Sequence, residues 1–508
     1  MCGGPLWFAY DNARTVTTLE VVLGVTLQVR RCVNPACAFY HRPYRPELEG
    51  RLALPHHEFG LDVIAWIGAC RYQDHDTVPE IHRTLINRGV VIAPRTVDHL
   101  LGRYEEWVGV VLATPASRAG LRQQGRLILA VDGLQPDKGH EVLWVVREVL
   151  SGDILLARSR LASGHDDLSA LLRAALLGLE GVPVVGVISD GQQAIRQAVA
   201  EALPGVPHQL CQFHYLREAG RPIWEADRHA QKELRKRVRG VRPIERAVED
   251  RTDPEAEVIR GYCAAVRGAL GDSGHPPLDA GGLQLQQRWS AMAASLDRVA
   301  QKGGLPAPLS RLQHAVRRAL DATAPLWPEL AIGQGWLVEA AQILANPDGA
   351  DRATVEARYA VLLADLQEEA APSASLQAMA AQFVKVTVSY GPLIFTGYDV
   401  ADLPRTNNDL EQLFGGLRHQ LRRITGQKNA PASLVVCGAT RLPAAVASQI
   451  HPFTAAELAS ADLEQWRIVR ARGEQRRWPR VLGRRFRQDP DAYLQALEER
   501  LIKLSLPP

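Results

Sequence analysis

Three carboxylates, remote from one another in the chain, stand out by type and setting. Asp132-Gly133 closes the apolar run Leu127-Ile128-Leu129-Ala130-Val131, and Asp190-Gly191 closes a second run over 182–189. A carboxylate just past the end of a buried strand is held rigidly while its oxygens face solvent, which is the combination a hard divalent cation requires. Mg2+ takes oxygen ligands in octahedral geometry, usually from few carboxylates plus water and substrate phosphate. Two such ions ~3.5–4 Å apart serve the attacking and leaving oxygens of an in-line displacement. Two aspartates are too few, and Thr406-Asn407-Asn408-Asp409-Leu410-Glu411 supplies a third acid, Glu411, at the head of a helix. Asn408 and Glu411 are also spaced as a capping box. Leu410, Leu413, Phe414, Leu417, Leu421 and Ile424 make the apolar stripe of that helix, however, and Glu411 shares a different face with Gly415, Arg418 and Arg422. An acid above two arginines, beside residues small enough for close approach, suits a phosphodiester held next to metal.

The elements that must position these acids follow from periodicity. The runs at 127–131 and 182–189 predict strands buried on both faces. Residues 141–150 and 154–161, joined through Ser151-Gly152-Asp153, predict a β-hairpin. Helices are expected over 166–177 and 192–203, with a fifth short strand over 209–214. Three strands, helix, strand, helix, strand resembles the α/β ribonuclease-H-like core, here over 126–216. Residues 217–400 predict an all-helical insertion with Trp289, Trp327 and Trp336 as packing anchors. Within it, 383–389 alternates as a strand would, or ends a helix. The core resumes with the Glu411 helix at 401–428, and 429–508 is helical and basic.

Two modules precede the core. Residues 1–45 hold Cys2, then Cys32 and Cys37, then His41, spaced as a degenerate or truncated zinc ribbon. A tetrahedral Zn2+ needs four such ligands, and unliganded buried thiols are the competing reading. Residues 56–108 predict three helices, with Gly89 breaking the chain before the third and Pro94 in its first turn. That is helix-turn-helix patterning, with Arg95, Thr96, His99 and Arg103 facing DNA.

At 508 residues the chain is too long for one core. Hydrophobic residues at 46% and charged residues at 23% exclude wholesale disorder, collagen-like repeats and a coiled-coil rod. Seven cysteines exclude a disulfide framework. No run of ~18 consecutive apolar residues and no secretion signal is present, so a cytoplasmic protein with no membrane partner is expected. The net charge of +3 conceals two concentrations. From Arg228 to Arg242 seven basic residues, among them Arg235, Lys236 and Arg239, face one acid, Glu233. From Arg467 to Arg487 nine arginines, among them Arg476, Arg477, Arg484 and Arg485, face Glu474 alone. Such tracks suit a grip on phosphates.

Asp132-Gly133, Ser189-Asp190-Gly191, Cys211-Gln212-Phe213-His214 and the 406–411 segment, in that order with a helical insertion before the last, resemble the Mutator-like DDE transposases of bacterial insertion sequences. The resemblance spans roughly 126–425. It implies that Asp132, Asp190 and Glu411 bind two Mg2+ or Mn2+ ions, and that Cys211 and His214 correspond to a C-x-x-H pair contributing mostly local architecture. It further implies hydrolysis at an element end followed by attack of the freed 3′-hydroxyl on target DNA. The partners would be double-stranded DNA, both terminal inverted repeats and target, and further copies of the chain in a homodimer or larger assembly. The protein would be bacterial and nucleoid-associated. A domesticated, catalytically idle DNA-binding protein and another ribonuclease-H-like nuclease are the competing expectations.

Overall fold

A computed structural model describes residues 3–54, 57–135, 141–238, 241–271, 274–426 and 432–505. The chain divides into two compact units: Met1–Val187 with Gln193–Val206 and Asn408–Pro508, and Ile188–Gln192 with Pro207–Asn407.

The first unit opens with a long antiparallel hairpin, β1 (Leu6–Thr17) and β2 (Val22–Cys32), extended by β3 (Pro43–Tyr44) and followed by α1 (Leu48–Leu52). Three helices follow, α2 (Leu61–Tyr72), α3 (Val78–Asn87) and α4 (Pro94–Leu112), then α5 (Ala119–Gln124). A capping box starts α3: Thr77 Oγ1 accepts the Glu80 N–H while the Glu80 carboxylate accepts the Thr77 N–H at 2.7 Å. The turn into α4 passes through Gly89 at φ +85°, a conformation that costs glycine nothing.

Only the start of α4 is open. Its second half is packed by α18 (Ala432–Ile450), α19 (Ala455–Ala459) and α20 (Leu463–Gln488), the last followed by α21 (Pro490–Ser505). Tyr104 shares a hydrogen bond with Ser448 at 2.7 Å, and Trp107 stacks on Trp466 with ring centroids 5.6 Å apart. The buried Glu105 carboxylate accepts from Tyr72 Oη at 2.8 Å and Arg441 Nε at 2.9 Å. Breaking such a buried pair from one side costs about 3–5 kcal/mol. Helices α2 and α4 and helices α18 to α20, separate in the sequence, therefore share one core.

The five-stranded mixed sheet has the order β6-β5-β4-β7-β8, comprising β4 (Leu127–Leu134), β5 (Val142–Glu148), β6 (Ile154–Arg160), β7 (Val184–Ser189) and β8 (His208–Leu210). β4, β5 and β6 pair antiparallel. The Leu127 N–H, at the start of β4, donates to Pro183 O, just before β7, at 2.9 Å; the Cys211 N–H, just after β8, donates to Ser189 O, at the end of β7, at 2.7 Å. Start meets start and end meets end, so β4, β7 and β8 run in one direction. Helices α6 (His165–Ala175) and α7 (Gln193–Ala202) close a core with Leu129, Val131, Trp144, Val146 and Val187.

The second unit is helical beyond β8: α8 (Gln212–Ala219), α9 (Arg221–Arg237), α10 (Val241–Arg246), α11 (Pro254–Gly271), α12 (Gly281–Gly303), α13 (Ala307–Thr323), α14 (Trp327–Ala345), α15 (Arg352–Ala370) and α16 (Ala374–Tyr390). Trp289, Trp327 and Trp336 are all buried in its core. One sequence expectation is corrected here, and one open choice between strand and helix end is decided. The strand expected over 209–214 ends at Leu210, because the chain turns into α8 at Cys211. Residues 383–389 are helical, since Phe383, Val386 and Tyr390 fall at spacings of three and four and bury together. The segment Ala374–Tyr398 also reaches a mean hydropathy of 1.2, enough by length and composition to cross a membrane, although no unbroken apolar run does so. In this fold α16 contributes Leu376, Met379 and Phe383 to the helical core.

Candidate active site

Asp132 lies inside β4 rather than past its end: pairing with β5 continues through Leu134, with Asp132 opposite Val145. Its Oδ1 accepts the Gly133 N–H at 2.7 Å, and the residue is 9% exposed. Gly133 is required by crowding rather than by a turn. It stands opposite Trp144, and an added Cβ would fall 2.9 Å from Val142 and 3.0 Å from the indole.

Asp190 follows the last residue of β7, also at 9% exposure, and its Oδ1 accepts the Gln192 N–H at 3.0 Å. Burial pushes its pKa up, while the Gln192 N–H and the nearby His214 pull it down. Gly191 repeats the logic of Gly133, since an added Cβ would come within 2.3 Å of the Tyr390 ring. Ser189, one residue earlier, is buried and hydrogen-bonded to the His208 ring at 2.8 Å. Tyr390 and His208 carry no local signal in the sequence; only the packing puts them beside the Asp190 turn.

Glu411 rides on α17 (Asn408–Thr425), which packs against β4, the strand of Asp132. Leu410, Phe414 and Leu417 are buried as the stripe predicts, and Glu411 is half-buried. The helix begins at Asn408, so the buried Asn407 takes the N-cap place and Glu411 lies one residue beyond the third helical position that a capping box uses. Gly415 and Gly416 are exposed, and an added Cβ at either meets nothing within 4 Å. Mid-helix glycine costs roughly 1 kcal/mol against alanine, and among the described residues no packing requires it.

Cys211 is fully buried, and its Sγ accepts the Asn407 N–H at 3.3 Å; the Gln212 N–H donates to Arg405 O at 2.9 Å. The turn from β8 into α8 thus anchors the stretch that leads into α17. His214 is half-buried near Asp190.

The two aspartates fit a divalent cation. Both present hard oxygen donors in buried positions, and the carboxylate of Asp190 is destabilised by burial in a way that a cation relieves. Among the described residues, two sets of three ligand-type side chains have donor atoms mutually within 4.8 Å: Cys70, Asp74 and Asp76; and His165, Asp166 and Glu201. Neither contains a member of the acidic triad, nor Cys32, Cys37 or His41. In the first set burial and the two aspartates push the Cys70 thiol up to about 12. In the second, Glu201 is taken by Arg173 at 2.8 Å and Ser169 at 2.9 Å. At the N-terminus Cys32 is buried and its carbonyl accepts the His41 N–H at 3.0 Å, while Cys37 is half-buried. Cys2 lies outside the described residues.

On α4, Arg95 and His99 are exposed and Thr96 is half-buried. Arg103, expected to face DNA, is instead half-buried, paired with Glu106 and 5.9 Å from the Trp466 ring. In the first basic run Arg235 is half-buried, Lys236 pairs with Glu233 at 2.7 Å, and Arg239 lies outside the described residues. Arg418 and Arg422 are exposed. On α20, Arg484 and Arg485 are exposed, with Arg485 over Trp478 at 5.3 Å, and Arg477 is directed at Cys437 Sγ at 3.7 Å. Arg476 is half-buried and donates to Val436 O at 3.5 Å.

No protein-family profile and no curated protein matches the sequence. In structure the chain is similar to the Drosophila P element transposase strand transfer complex, with a TM-score of 0.32 and 11% identity over 78% of this chain and 93% of that one.

Proposed function

We propose that the chain is a DDE-type transposase, a metal-dependent phosphoryl transferase acting on double-stranded DNA through a ribonuclease-H-like core. The observation that carries this reading is that α17, with Glu411, packs on β4, with Asp132, in a mixed sheet whose next strand, β7, leads directly into Asp190. Asp132, Asp190 and Glu411 would hold Mg2+ or Mn2+. When bound, those ions supply charge neutralisation at the phosphodiester and a readily deprotonated water.

The remaining work falls to the chain. The backbone N–H groups of Gly133 and Gln192 each hold one oxygen of an aspartate and so fix the carboxylates that would face the cation. Tyr390 crowds Gly191 beside Asp190, and Trp144 fills the face of β4 opposite to the Asp132 side chain, backing that strand. Cys211 anchors the Asn407 N–H and so steadies the start of the Glu411 helix. Arg418 and Arg422 stand on the exposed part of α17, ready to hold phosphates of the strand being cut, and Arg95 and His99 at the open start of α4 suit a helix-turn-helix contact with a DNA groove.

The test is strand cleavage and joining on duplexes carrying the DNA that flanks this gene, with Mg2+ or Mn2+. Asp190→Ala and Glu411→Ala should each abolish both steps and leave duplex binding intact. Undiminished cleavage in both variants would overturn the reading. Complete inactivity of the parent chain on DNA, with cutting of the RNA strand of a hybrid, would replace it by a nuclease.

A further inference from the structure

The arginines of α20 do not act alone. β6 is an edge strand of the sheet, and two residues on one of its faces, Arg158 opposite Trp144 and Arg160 opposite Val142, are arginines. We propose that Arg158 and Arg160 of β6, with Arg472 and Arg476 of α20, form a binding site for neighbouring phosphates on the backbone of a DNA duplex. The proposal rests on the DNA-acting reading for the class of partner, and it adds a site on the sheet that the basic runs do not include.

Four observations support it. Arg158 and Arg160 are half-buried, and Arg160 Nε is fully buried with no hydrogen-bond partner. Among the described residues no carboxylate forms an ion pair with any of the four arginines, and the groups whose charge acts to raise the pKa of Arg476 are Cys437 and Glu141. Burial lowers the pKa of Arg158, and the charges of Arg160, Arg472 and Arg476 lower it further. Burial likewise lowers that of Arg476, with Arg472 and Arg160 among the charges adding to the effect. Arg472 is exposed and the other three are half-buried; like charges gathered in a partly desolvated setting destabilise the unliganded chain, and a polyanion relieves all of them at once. Guanidinium forks match phosphate oxygens in pairs, which ammonium groups do not.

An edge strand also carries charge simply to discourage pairing with another sheet. One exposed arginine serves that end. It requires neither a buried, unpartnered Nε nor two further arginines delivered by a helix more than three hundred residues later in the chain.

The experiment measures binding of the full chain to a labelled duplex of arbitrary sequence by fluorescence anisotropy across a salt series. Each phosphate contact contributes about 0.9 to the slope of log affinity against log salt. The double variant R158Q/R160Q should lower that slope by about 2 and weaken binding at least tenfold at low salt, equally on unrelated sequences. R472Q/R476Q, on a different element, should do the same, which guards against a folding defect in β6. An unchanged slope in both variants overturns the site. So does a loss confined to an RNA hairpin probe with duplex binding intact. Strand cleavage by the same preparations separates the two claims: a cleaving chain with an unchanged slope loses only the phosphate site, and a non-cleaving chain with an arginine-dependent slope loses only the catalytic reading.

Discussion

The two arginine-rich helices, α9 and α20, look alike in the sequence and differ in how their charges are met. On α9 part of the charge is answered on the helix itself: Lys236 and Arg237 face Glu233 at 2.7 and 3.8 Å, and Arg228 lies over Trp224 at 5.3 Å. On α20 Arg470 with Glu474 at 3.1 Å and Arg485 over Trp478 at 5.3 Å are of this kind, while Arg472 and Arg476 join Arg158 and Arg160 in a cluster that repels itself. The net charge of a segment therefore says less about a ligand than whether its charges already have partners. A surface pair is worth ~0–1 kcal/mol and leaves the helix a solvated face; an unanswered cluster in a half-buried setting calls for an anion.

The largest expected effect tests whether α20 is built into a core and α9 is not anchored in the same way. Trp466, buried against Trp107 and donating to Glu106 at 2.9 Å, should cost about 3 kcal/mol of stability when changed to alanine. Trp224→Ala, removing a half-buried ring beside one arginine, should cost less than about 1 kcal/mol. Denaturant titration of both variants checks the contrast, and equal losses would erase it.

Next comes DNA. Where R158Q/R160Q is expected to lower the salt slope by about 2, K236Q/R237Q should lower it by less than about 1, because those cations are already partly neutralised by Glu233. Equal slopes for the two double variants would remove the distinction drawn between the helices.

Asp190 is a comparable situation with the sign reversed, a buried carboxyl whose burial outweighs the pull of the Gln192 N–H and His214. Its folded pKa is raised by burial, so the folded chain binds a proton more tightly than the unfolded chain. The stability associated with that proton is fully present below the unfolded pKa, near 3.8, and is lost as pH rises through the folded value. Asp190→Asn should therefore be more stable than the parent at pH 7 in the absence of divalent ions, with the gap closing below about pH 4. Thermal melts at both pH values decide it, and a parent chain equally or more stable at pH 7 would contradict it.

The smallest effect is Glu233→Gln, which frees two cations on α9. It should raise duplex affinity by no more than about fivefold, the ceiling of an exposed pair. A larger gain, read by the same anisotropy titration, would mean that α9 is a principal DNA contact.

Much was legible in the residues alone. Buried strands at 127–131 and 182–189, the hairpin between 141 and 161, the helical stretch after 217 and the apolar stripe of the Glu411 helix all follow from period and local chemistry, because an element buries one face at fixed spacing whatever lies opposite. What lies opposite had to come from the fold. No local signal pairs Trp144 with Gly133, sets Tyr390 on Gly191, donates the Asn407 N–H to Cys211, or turns Arg103 from a DNA-facing position into a partner of Glu106. Arg158 and Arg160 are unremarkable in a strand pattern until a distant helix brings two more arginines beside them. Periodicity is a property of neighbours along the chain, whereas charge and crowding act through space between residues that only the tertiary structure makes neighbours.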